Sequence, residues 1–349
     1  MLGGLRRIGL GFDYGFMDQR AGFAIREGID YSPNDTYARA FIVGLVNTLR
    51  VAVTGIILAS VLGLFAGIAR LSTNWLVRRI ATVYVEVFRN TPLLVQLFFW
   101  YVGVFLQLPP IQQTVDFFGL AFLSVRGTAV PWVARLPGFR LWLLVLVLAV
   151  ALAWLARRTL VRRSEASGQP IHVFLWSAAV FLAVAAAGYL LTGAPAQITL
   201  PLREGRIYSG GAVISPELTA LLVGLVVYTG SFIAEVVRGS ILAVSRGQSE
   251  AALALGLSNA QRLRLVVIPQ ALRIMIPPLA NQYLNLTKNT SLAFAVAWPD
   301  LFQVSKTIIS QGGGAVSIIA LAMLTYLAMS LAISAVANFI NARLGYPTR

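Results

Sequence analysis

The sequence predicts an all-α integral membrane protein, a bundle of about seven crossing helices, and three observations lead there. Uncharged apolar runs recur along the whole chain, and several approach the ~20 residues a helix needs to cross a bilayer. Of its 349 residues 58% are hydrophobic and only 12% charged, where a soluble domain carries roughly a quarter charged residues. The 28 basic residues, which leave a net charge of +15, sit mostly between the apolar runs. That is where anionic headgroups and the positive-inside rule act, so topology explains the charge better than nucleic acid does.

Taken in order, residues 1–40 mix Gly, charges and aromatics, with the turn-prone Ser32-Pro33-Asn34-Asp35, and read as a non-spanning leader. The first span is Val51 to Ala69, able to extend back to Phe41, and the basic stretch Arg70 to Arg79 follows. The second span runs from about Ile80 to Leu106 and stops at Pro109-Pro110. A polar connection with Asp116, Arg126 and Arg135 leads to a third span, Leu141 to Ala156, capped by Arg157, Arg158, Arg162 and Arg163. The fourth is about Ile171 to Leu191, and the fifth about Ser215-Pro216 to Gly239. The sixth is about Leu272 to Trp298 and the seventh Ala315 to Ile340. With the Arg-rich loops inside, the C-terminus is cytoplasmic and the N-terminus periplasmic, although the leader's own Arg6, Arg7, Arg20, Arg26 and Arg39 oppose that side.

Composition also excludes chemistry. There is no cysteine and one histidine, His172 beside Pro170, so disulfides, thiol catalysis and clustered His/Cys metal sites are not expected. No apolar stretch of signal-peptide length precedes Asp13 and Asp18, so no cleaved signal is expected. No Gly-x-x-x-x-Gly-Lys-Ser/Thr loop occurs, so the chain is not expected to cradle ATP phosphates or to be an enzyme itself.

The polar stretch 245–270 is the most informative. Gln248 to Leu255 has good helix propensity, Gly256 suits its end, and Ser258 can cap a second helix, Asn259 to Val267. Such an elbow lies at the membrane surface. Two readings are open: an amphipathic joint between two spans, or a surface whose small residues beside a carboxylate admit another protein.

Glu250-Ala251-Ala252, three residues, Gly256, nine residues, then Val266-Val267-Ile268-Pro269 resembles the signature loop of permease subunits of ABC importers. Asn47-Thr48-Leu49-Arg50, the run Val85 to Gln96, Ile233 to Gly239 and Leu286 to Leu292 resemble the polar amino-acid branch. The middle, with two extra spans, is similar to permeases of general L-amino-acid importers; relatives of that kind often have a further N-terminal span, which is not expected in residues 1–40.

The resemblance implies a type I importer bundle: a permease domain over 41–349, with 109–214 an insertion into a five-span core and 245–270 the ATPase-coupling loop. It implies a bacterial inner-membrane location and a cytoplasmic ABC ATPase dimer that uses ATP and Mg, this chain binding no cofactor. It further implies a periplasmic binding protein, a second permease subunit, homologous or identical, and amino-acid cargo. Glu250, Ala251, Ala252, Gly256 and Pro269 would form the coupling contact.

Polar groups deep in a membrane are expensive and usually face the bundle interior. Depth nominates Gln96, Tyr228, Asn285 and Lys288 for a substrate path, with Asn289 and Ser291 near its outer end, though each can equally serve interhelical hydrogen bonds. Glu86 with Arg89, and Glu235 with Arg238, are three residues apart and can pair as bundle or gate contacts. The rival reading is an ion-coupled secondary transporter, for which no paired half-repeat is visible. An intramembrane enzyme lacks its nucleophile and base.

Overall fold

The computed structural model describes residues 13–168 and 172–344, apart from the side chains of Arg135 and Leu344; Arg6, Arg7, Pro170 and Ile171 lie outside them. The chain forms two units, residues 1–107 with 216–349, and residues 108–215.

The first unit is built on α1 (Tyr37–Ala69) and α6 (Pro216–Leu242). α1 starts at Thr36, whose side chain accepts from the Arg39 amide. Gly55, Ala59, Gly63 and Gly67 recur every fourth residue and are buried. A Cβ on Gly63 would lie 2.5 Å from Ile233, and one on Gly67 2.6 Å from the Ala234 carbonyl. This small-residue row lets two backbones approach where apolar burial gives no drive, because lipid is as apolar as leucine.

The predicted second span is divided. α2 (Trp75–Arg89) ends before Asn90-Thr91-Pro92, and α3 (Leu93–Phe98) passes through a wide π turn, Phe99–Val104, to a 3₁₀ turn at Gln107. Pro92 is extended and disfavours helix in the residue before it. Six described helices have the length and composition to cross a membrane, and Leu93–Gln107 is a shorter apolar helix. So of the seven predicted crossings six are long helices and the second is a broken one.

After α6 come α7 (Arg246–Ala254), α8 (Asn259–Arg262) and α9 (Ile268–Asn289). A π turn, Leu263–Val267, joins the last two, so the predicted surface helix Asn259 to Val267 runs unbroken into the sixth span. Pro269 has no amide to donate to the preceding turn, and the wide turn before it re-registers the ladder instead of ending it. A 3₁₀ segment, Thr290–Val296, leads to the unpredicted short helix α10 (Leu301–Ser310) and the last span, α11 (Ala315–Leu344). The leader is tied in at this end: Phe16, Ala21 and Phe23 pack on Tyr37, Leu301, Ile308 and Ile318.

The second unit holds the antiparallel hairpin of α4 (Phe139–Ser167) and α5 (Val173–Leu191), His172 being the exposed residue before α5. The same end continues as strands, which the sequence reading missed. β4 (Trp132–Arg135) pairs with β5 (Ala196–Thr199), and β6 (Leu202–Glu204) with β7 (Ile207–Ser209). β1 (Val115–Phe117), β2 (Ala121–Ser124), β3 (Gly127–Val130) and β8 (Ala212–Ile214) form an antiparallel sheet in that order. All-α thus holds for the spans but not for this part, whose strands of three or four residues are too short to show an alternation.

Candidate functional site

The elbow is a helix, a left-handed stop and a second cap. Gly256 takes φ +77°, its amide donates to the Leu253 carbonyl at 2.9 Å, and the Leu257 amide donates to the Ala252 carbonyl at 3.1 Å. This double return is the Schellman closure that favours glycine. Two residues on, the Ser258 hydroxyl accepts from the Gln261 amide while the Gln261 side chain accepts from the Ser258 amide, a reciprocal capping box. Glu250 and Ala251 are exposed, Ala252 is buried, and Gly256 and Pro269 are exposed. Leu255 beside the stop is 82% exposed. A side-chain tie returns α7 to the bundle, Gln270 Nε2 donating to Gln248 Oε1 at 3.1 Å. The result is a rigidly shaped, outward-facing knob with a carboxylate and small side chains.

Where the C-terminal ends of α1 and α6 meet α2, the predicted ion pairs are rearranged. Glu235 and Arg238 do pair, Arg238 Nη2 donating to Glu235 Oε1 at 2.5 Å. Glu86 and Arg89 do not pair with each other. Arg70, expected in a loop, donates through Nη1 to Glu235 Oε2 and lies with Nη2 3.6 Å from Glu86 Oε1. Arg89 Nη1 is 3.9 Å from Glu235 Oε2, its guanidinium 5.4 Å from the Phe232 ring centre. The correction has a geometric cause: α2 ends at Arg89 beside the α1 terminus, so cross-helix partners lie closer than those three along. One carboxylate is therefore shared by three arginines from three helices, and Arg70, with a 12% exposed side chain, joins them.

The proposed path residues are not one cluster. Gln96 is buried, and its Nε2 donates to the Phe88 carbonyl at 2.9 Å and to Thr91 Oγ1 at 2.8 Å. It thus satisfies acceptors freed by the break in the second span, while its Oε1 has no partner. Tyr228 is half-buried against Phe232, with ring centres 5.0 Å apart. Asn285 and Lys288 are exposed on α9, and Asn281, which the sequence reading missed, is exposed one turn below. Spacings of four and three residues put these three on one stripe. Asn289 is half-buried, and the Ser291 hydroxyl donates to the Lys288 carbonyl at 2.8 Å.

Asn47 and Thr48 have a structural role. Asn47 Nδ2 donates to the Glu27 carbonyl at 3.1 Å and the Pro299 carbonyl at 2.9 Å, and Thr48 Oγ1 accepts from the Leu301 amide at 2.9 Å. They hold the turn before α10, where buried Asp300 accepts from the Gln303 amide at 2.8 Å and from the Tyr326 hydroxyl at 3.1 Å. Burial, partly offset by those donors, pushes the Asp300 carboxyl up to about 7. Among the described residues no group of His, Cys, Asp and Glu could hold a metal ion.

Comparison with known proteins fits this geometry. The family profile described as binding-protein-dependent transport system inner membrane component matches residues 59–345. The putative amino-acid ABC transporter permease YhdX of Escherichia coli K12 is 44% identical over 99% of this chain and 88% of its own length. The general L-amino acid transport system permease AapQ of Rhizobium johnstonii is 43% identical over 99% and 86%. A crystal structure of an amino acid ABC transporter with histidines superposes with a TM-score of 0.53 at 21% identity, covering 88% of this chain and 95% of that one. That likeness speaks to fold alone, and the fold is the type I importer bundle expected from the loop signature. The match over most of the length, with two relatives aligned nearly end to end, places this chain in the family of inner-membrane components of binding-protein-dependent transport systems.

Proposed function

We propose that this chain is the permease subunit of an ATP-driven amino-acid importer, powered by a separate cytoplasmic ATPase dimer that seats on the elbow. The observation that carries the reading is the exposed, doubly capped knob around Glu250, Ala251 and Gly256. Ala252, turned inward, packs the knob rather than meeting the partner. The ATPase uses ATP and Mg, a periplasmic binding protein delivers cargo, and a second permease, identical or homologous, completes the pathway. Amino-acid cargo is supported by the names of both relatives described above. In this arrangement the C-terminus is cytoplasmic and the N-terminus periplasmic.

The path follows the exposed polar stripe Asn281, Asn285 and Lys288, with Asn289 next on the same helix. A polar face on a spanning helix is costly against lipid and is matched instead by a partner or by water. Alternating access follows when ATP-driven closure of the partner displaces the elbow and shifts the bundle between two states.

The test is uptake of labelled amino acids into vesicles holding this chain, its ATPase and its binding protein. Glu250→Arg and Gly256→Pro are expected to leave the protein inserted, ATP hydrolysis retained and uptake lost. Normal uptake in both variants removes the elbow from the mechanism, and robust ion-driven uptake without the ATPase replaces the importer reading with a secondary transporter.

A further inference from the structure

We infer that a slot between α10 and α11 is a binding site for the headgroup and one acyl chain of an anionic phospholipid, centred on Lys306 and bordering the proposed path at Lys288. The slot encloses about 540 Å³ and is lined by Phe302, Ile309, Ile319, Met323 and Leu327, with Lys288 and Lys306 among its lining residues. Neither lysine has a salt-bridge partner among the described residues. Lys306 Nζ instead lies 5.4 Å from the centre of the Phe294 ring, which packs edge-on against Phe302. The lining thus pairs uncompensated positive charge with hydrocarbon.

Two features select the ligand. The lining contains no aspartate or glutamate, and the nearby Asp300 carboxylate is committed to the Gln303 amide and Tyr326 hydroxyl. An α-ammonium group would therefore have no acidic partner there, whereas a phosphodiester suits two lysines. Second, Ile319, Met323, Leu327 and Leu331 of α11 are exposed and recur every fourth residue, so this side of the last span is apolar for more than three turns. A hydrocarbon chain on that face enters the slot sideways, with its phosphate at the lysines.

The experiment uses the full chain purified with its partners in detergent, with phosphatidylglycerol and phosphatidylcholine of the same acyl composition as probes. Retained lipid is counted by mass spectrometry. Wild type is expected to retain phosphatidylglycerol in preference to phosphatidylcholine, and Lys306→Gln to lower that retention on the order of fivefold. Met323→Trp, at an exposed position where folding tolerates the change, is expected to lower retention of both lipids by filling the slot. Equal retention of the two lipids in wild type, or no loss in Lys306→Gln, overturns the inference. Displacement of phosphatidylglycerol by inorganic phosphate alone reduces the site to a simple anion site and overturns it as well. An unchanged lipid count with a raised KM for the transported amino acid in Lys306→Gln assigns the slot to the solute instead.

Discussion

The contact between α1 and α6 and the elbow around Gly256 differ in almost every physical respect. Along the first, Gly63 and Gly67 leave no room for a methyl group against Ile233 and Ala234, and the buried stripe of α6 is nearly continuous. At the second, a Cβ on Gly256 would meet nothing within 4 Å, and shape is held by local caps rather than by packing. The first glycines are fixed by their neighbours, the last by its own backbone angle. Close packing resists continuous deformation, so it carries displacement as a rigid body, while an exposed capped helix is free to be gripped. The tight region reads as the shaft and the elbow as the grip of the proposed transporter.

Four substitutions sharpen that contrast. Gly63→Leu should be the most damaging, about 3 kcal/mol or loss of the folded bundle, since the side chain must enter the Ile233 contact; thermal unfolding in detergent reads it. Arg70→Ala should follow at about 2 kcal/mol, because it removes a charged hydrogen bond to Glu235. Arg238→Ala, at a more exposed side chain, should cost less, and equal losses would deny Arg70 its central place. Gly256→Ala should cost about 1 kcal/mol through its left-handed backbone, lowering the melting point by only about 2 °C while uptake falls, the reverse of Gly63→Leu.

The smallest effect is a slope with pH. Because burial raises Asp300 from 3.8 to about 7, the folded chain holds a proton that the unfolded chain has released between those values. Its contribution to stability is therefore present at low pH and lost as pH rises through about 7. Melting points at pH 5 and 8 should show that fall in wild type, and Asp300→Asn should flatten it. An identical slope in the variant would assign the dependence to other groups.

Legibility followed the range of the interactions. The elbow was readable because a cap and a stop are set by adjacent residues: Ser258, Gln261 and Gly256 carry their geometry in their own side chains or lack of one. The spans were readable in number to within one, because hydrocarbon thickness imposes a length. The break at Pro92 could have been read, since Asn90-Thr91-Pro92 is turn-forming, but apolar continuity on either side hid it. Arg70 and the small-residue row were not read, although Gly55, Ala59, Gly63 and Gly67 stand at a visible spacing of four. Their meaning depends on which helix lies opposite, and only the assembled bundle supplies Glu235 and Ile233. The strands of the second unit failed for a similar reason, β3 pairing with β8 more than eighty residues away.

The passage from the elbow into α9 without a break has a mechanical corollary. From Ile268 to Asn285 an α-helix measures roughly 25 Å at 1.5 Å per residue. Pivoting that length by about 5° about its lower end swings the amide of Asn285 sideways by about 2 Å, comparable to the radius of a methyl group. A nudge too slight to rearrange any contact at the protein surface is thereby magnified, by leverage alone, to the scale on which a narrow passage admits or refuses a small molecule.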